Sequence, residues 1–131
     1  MHATRVSIRN NKLVYVLIAD KRIKYGKLKS RIVYIGTTEK GVKRISQSVG
    51  ARAVKILELT GVHSFHARVI TCTPRQNTHT WRKLERGLLI CFKEKFAATP
   101  KCNLHGKGFK VKDEFKIFSR SALMNIIEEL S

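Results

Sequence analysis

Glu85 is the residue whose surroundings ask for chemistry. The segment 80–96 reads as an amphipathic helix. At about 100° per residue, Trp81, Leu84, Leu88, Leu89 and Phe92 fall on one continuous apolar stripe. Glu85 falls inside that stripe. An ionised carboxylate on an apolar face is costly unless it is paired or bound to a metal. One reading pairs Glu85 with an arginine at the edge of the core. The other makes it the carboxylate of a cleft that holds a cation. The acidic inventory limits the second reading. Only 9 Asp and Glu are present, isolated except for Asp113–Glu114 and Glu128–Glu129. Two-metal hydrolysis needs several converging carboxylates, so a single metal ion suits this chain better.

Other ligand-type side chains are sparse. Cys72, Cys91 and Cys102 are too few and too scattered for a disulfide framework, which predicts a reducing, cytoplasmic or nucleoid-associated setting. Cys102 with His105, and His63 with His66, are close pairs, but zinc ribbons use two tight pairs of mostly cysteine ligands. Buried cysteines and surface histidines are the expected state. Charge is the stronger signal. The chain carries 27 Lys and Arg against 9 Asp and Glu, a formal net charge of +18. Such an excess speaks of partners rather than fold. The basic residues run from Arg5 to Arg120 instead of clustering on one amphipathic helix, which suits a phosphate backbone better than a membrane surface. No apolar run approaches the roughly 20 residues of a membrane span, and the first residues predict no secretory leader.

Positioning Glu85 requires a fold. The 131 residues are one domain by size. Residues 13–20 (LVYVLIAD) and 31–36 (RIVYIG) read as strands. Between them, 21–31 is a strongly basic connection or hairpin tip centred on Gly26. Thr38 is the expected N-cap of a helix running to about Val49, with Val42, Ile45 and Val49 on one face. A further helix over 51–59 is expected to stop at Gly61. Residues 65–72 alternate as a third strand. Residues 97–110 read as a loop, 114–118 as a short strand, and the last helix starts at a Ser119 or Ser121 cap. The expected architecture is α/β in the α+β sense: a small three-stranded mixed or antiparallel sheet flanked by helices.

Four further residues join Glu85 in a recognisable order. Tyr15 lies in the first strand as Leu13-Val14-Tyr15, and Tyr34-Ile35-Gly36 ends the second. Arg44 follows Gly36 by eight residues, and Asn103 follows Pro100 by three. This set resembles the GIY-YIG nuclease superfamily, which includes excision-repair nucleases, homing endonucleases and some restriction enzymes. The resemblance spans roughly residues 13–106. Departures are visible. Leu-Val-Tyr stands in place of Gly-Ile-Tyr, and the link between the two tyrosines is longer and more basic than in compact members. Tyr25 is a rival for the first tyrosine. Ser48 stands where some members carry histidine, and Thr37 where the repair enzymes carry lysine.

The resemblance implies a metal-dependent DNA endonuclease that hydrolyses phosphodiester bonds. One divalent cation, magnesium or alternatively manganese, would be held by Glu85 and otherwise by water and phosphate. Tyr15 would take the proton from water while Tyr34 orients water or phosphate, though the two roles are interchangeable at this level. Nearby cations would lower the phenol pKa. Arg44 would clamp the scissile phosphate with its planar fork, and Asn103 would hold the substrate or the catalytic loop. Lys21, Arg22, Lys24, Lys27, Lys29 and Arg31, with Lys107 and Lys110 beside His105, would line double-stranded DNA. A homodimer would let two single sites cut both strands. Two competing readings are a catalytically silent nucleic-acid-binding module and a ribosomal or chromatin-like protein carrying YIG by coincidence.

Overall fold

Two long β-rich runs joined by two turn residues form the centre of the molecule. The computed structural model describes residues 2–4, 13–38, 42–59, 61–70, 80–103 and 118–131. β1 spans His2–Thr4, β2 Leu13–Tyr25 and β3 Leu28–Thr38. α1 spans Val42–Leu57, β4 Phe65–Ile70, α2 Thr80–Phe96 and α3 Arg120–Leu130. The sheet order is β1-β4-β2-β3. β2 pairs antiparallel with both β3 and β4, giving the expected three-stranded antiparallel sheet. β1 adds a short parallel strand beside β4, which its three residues did not announce.

The strands continue through the segment expected to be a basic connection. β2 and β3 meet at a turn of Gly26 and Lys27, where Gly26 has a φ of 61°. That left-handed conformation is open to glycine without steric cost. The basic residues therefore stand on hairpin arms, where Lys21, Arg22, Lys24, Lys29 and Arg31 are exposed. The pairing is interrupted twice. Leu17 pairs with Tyr34 and Ile18 with Ile32, so Val33 is the extra residue of a β-bulge. Between Ile18 and Ile23, β2 again departs from regular pairing, and there the Asp20 amide donates to the Ser64 carbonyl at 2.9 Å.

Alternation along β2 divides the core into two layers. Val14, Val16 and Ile18 pack with Trp81, Leu84, Leu88 and Phe92 of α2 and with Leu123 and Ile127 of α3. Leu13, Tyr15, Leu17 and Ala19 pack with Val49 and Ile56 of α1. The sheet is thus covered by α1 on one face and by α2 and α3 on the other. α1 is one continuous helix, where two were expected on either side of Gly50. Gly50 is exposed with open space around it. Burial of Val49 and Ile56 offsets the roughly 1 kcal/mol that a helical glycine costs relative to alanine. Thr38 belongs to β3 rather than to a helix cap. Ser119 caps α3, its hydroxyl accepting from the Ala122 amide at 3.3 Å. The strand expected over 114–118 lies outside the described residues, apart from Phe118.

Candidate functional site

The bulge at Val33 sets the orientation of the next residue. Val33 is core and Tyr34 packs against it in the α1-side layer, so two consecutive side chains share one side. Tyr34 then lies diagonally from Tyr15, whose strand partner is Gly36. The two rings are 5.7 Å apart between centroids and tilted by 37°, and their phenols share a hydrogen bond. Gly36 makes this arrangement fit. A Cβ there would stand 2.5 Å from Tyr34 Cε1 and 2.8 Å from its hydroxyl oxygen. The glycine of the YIG triplet is therefore a seat for the tyrosine two residues before it.

The two tyrosines differ in access. Tyr15 is 1% exposed, whereas Tyr34 is only partly buried. Tyr34 is therefore the more accessible of the two phenols. Burial, reinforced by Tyr15 and more weakly by the Glu85 charge, pushes the Tyr34 phenol above its usual 10.0. A cation opposes this. Arg52 Cζ stands 4.1 Å from the Tyr34 ring centroid, a cation–π geometry whose charge favours phenolate. Tyr25, the rival first tyrosine, belongs to the other layer. Its hydroxyl donates to the Ile32 carbonyl at 2.8 Å and accepts from the Lys101 amide at 2.9 Å, and its ring packs on Phe92 and Phe96.

Glu85 sits on α2 at the same end of β3. Thr37, one residue beyond Gly36, hydrogen-bonds to its carboxylate. Burial raises the Glu85 pKa above its ordinary 4.5; Thr37, Arg82 and Arg86 offset this only in part. The half-buried carboxylate is a hard oxygen ligand, and one such ligand completed by water and phosphate is a set that magnesium uses. Among the described residues no group of three or more His, Cys, Asp or Glu comes together.

Asn103 is fixed to the same strand. Its Oδ1 accepts from the Ile35 amide at 3.1 Å and its Nδ2 donates to the Ile35 carbonyl at 2.9 Å. The Cys102 amide donates to the Val33 carbonyl at 2.8 Å. Residues 102–103 thereby cover the outer edge of β3, which an open sheet must protect. Each polar end of the Asn103 amide makes one of these bonds, so the side chain anchors the strand carrying Tyr34 and Gly36. Tyr34, Gly36 and Thr37 thus lie along the end of β3, with the Tyr15–Tyr34 pair on the α1 side, Glu85 reaching Thr37 from α2, and Asn103 fixed to Ile35. Arg44 lies in the first turn of α1, and its side chain is outside the described residues, as are Lys107 and Lys110. Lys27 is exposed at the hairpin turn with the other hairpin cations.

Arg52 was the residue missed. Its signal was present in the sequence: on the helix it lies between Val49 and Ile56, at the margin of the buried stripe. An arginine in that position has its stem on the core and its head at the rim. No helix among the described residues is long and apolar enough to cross a membrane. Comparisons with protein-family models, with curated proteins and with solved structures each returned no match.

Proposed function

We propose that the chain is a metal-dependent DNA endonuclease of the GIY-YIG type, acting on double-stranded DNA. The observation that supports this is the Tyr15–Tyr34 pair seated by Gly36, with the half-buried carboxylate of Glu85 meeting Thr37 one residue further along β3. Hydrolysis of a phosphodiester needs a water deprotonated, charge on phosphorus stabilised and the phosphate held still. Tyr34 is the phenol that meets water and takes its proton, while buried Tyr15 holds it by a hydrogen bond and Arg52 steadies the developing phenolate. Glu85 would hold a divalent cation, which would supply charge stabilisation at the phosphate. Arg44 clamps the phosphate. The basic hairpin arms lie along the duplex backbone, and pairing of two copies would cut both strands.

Burial of Tyr15 and the raised pKa of Tyr34 favour a second reading, a silent nucleic-acid-binding module, since a phenol that keeps its proton is a poor base. Supercoiled plasmid at low salt separates the two. The nuclease reading expects magnesium-dependent nicking that EDTA and Glu85→Ala abolish. Retained DNA binding with no cleavage by either protein, at neutral or alkaline pH, supports the silent module.

A further inference from the structure

The far end of the β3–α2 seam carries a second site. A cleft of about 360 Å³ opens there between the hairpin tip and the C-terminal ends of α2 and α3. Arg22, Lys27 and Lys29 line it from the hairpin, and Lys95 from α2. Its one acidic lining residue is Glu128, which pairs with Lys95 at 3.4 Å. Phe96 and the half-exposed Leu28 give it an apolar lining. Four cations outnumber the Glu128 carboxylate and the α-carboxylate of Ser131, which also lines the cleft, and leave an excess of positive charge in a concave site, the arrangement that concentrates field on an anion.

The spacing of the cleft from Glu85 gives a length to set against that anion. Glu85 and Lys95 lie on the same helix, ten residues apart, which is about 15 Å at 1.5 Å per residue. A duplex advances about 3.4 Å per nucleotide along its axis, so one lying along α2 would place about four to five base pairs between the two points. We propose that this cleft grips the DNA phosphate backbone about four to five base pairs from the bond presented at Glu85, and that Glu128 restrains it by occupying Lys95. The grip on the backbone rests on the nucleic-acid reading of the chain alone, and the base-pair offset on the cleavage reading as well.

Binding of a defined duplex, measured against salt, tests it. Glu128→Gln and Glu129→Gln change net charge equally, but only Glu128 lines the cleft. Both residues are exposed, and an exposed pair such as Lys95–Glu128 adds little stability, so both variants should fold. Glu128→Gln is expected to tighten binding about threefold or more beyond Glu129→Gln. Replacing Arg22, Lys27 and Lys29 with alanine together is expected to reduce the slope of log affinity on log salt by about two to three. Equal effects of the two glutamine variants, or a slope change below about one, overturn the proposal. So does a Glu128→Gln gain seen on phosphatidylserine vesicles but not on duplex, which assigns the cleft to a membrane surface. If the binding results hold while plasmid stays intact with magnesium, the cleavage reading and the offset fail and the grip stands.

Discussion

Tyr34 and Glu85 are each held against their intrinsic preference, and the cause in both is burial. For Glu85 this links stability to pH with a definite sign. Unfolded, its carboxyl ionises near the ordinary 4.5; folded, it ionises at higher pH. Between those values the folded state binds more protons than the unfolded state, so this group's contribution to stability falls as pH rises through the window. Above it, the buried charge costs stability in full. Glu85→Gln keeps an acceptor for the hydrogen bond with Thr37 and removes the charge. The variant is expected to gain a few degrees in thermal midpoint at pH 7 over wild type, and to gain little at pH 4, where both carry a neutral side chain. Magnesium should raise the midpoint of wild type and not of the variant, because ligand binding to the native state stabilises it by mass action. Thermal melts at two pH values, with and without magnesium, check both. A midpoint that drops in Glu85→Gln at pH 7 would mean the carboxylate is well paired and not short of charge.

β3 is the element that carries Tyr34, Gly36 and Thr37 and to which Asn103 is tied, and it illustrates what a sequence can and cannot disclose. α2 was legible because its apolar stripe repeats at helical spacing, and the same repetition exposed Glu85 as out of place. β4 was legible because Phe65, Ala67 and Val69 alternate, and all three are buried. The arms of the β2–β3 hairpin were not, since exposed Lys24 and Lys29 carry a polar pattern indistinguishable from a loop, and only their cross-strand pairing makes them strand. Helix α1 was divided at Gly50 because local propensity weighs against glycine, whereas burial on both sides of it decides the outcome. The role of Asn103 was visible only as a turn residue, because its partner, Ile35, is 68 positions away. That long-range amide pair leads to a prediction for the element. Asn103→Ala leaves the Ile35 amide and carbonyl without their partner, which should cost about 1–2 kcal/mol in denaturant unfolding. It should also speed amide exchange at Ile35 more than at Val16, which lies on the central strand. Equal acceleration at both positions would show a global loss and no anchoring of the β3 edge.

Charge acts on the molecule as a whole, and it pulls stability and binding in opposite directions. With 27 basic and 9 acidic side chains, even one-to-one pairing of every carboxylate would leave 18 cations unmatched. Two such pairs, Lys95–Glu128 and Arg120–Glu94, are both on the surface. The folded state concentrates this excess and is destabilised by self-repulsion, a cost the expanded unfolded chain largely escapes. Salt screens that repulsion: the Debye length falls from about 10 Å at 0.1 M to about 3 Å at 1 M. The same salt removes the entropy gain of releasing counterions from DNA. Contact with about six phosphates gives a slope near −5, so affinity should fall about 10³-fold between roughly 50 and 200 mM salt. Thermal midpoint is therefore expected to rise with sodium chloride while duplex affinity falls, and short duplex DNA at low salt should substitute for sodium chloride by raising the midpoint itself. A midpoint that falls with salt would mean that the surface cations are matched by favourable pairs in the folded state. The excess charge would then be a property of the fold and not a surface kept for a polyanion.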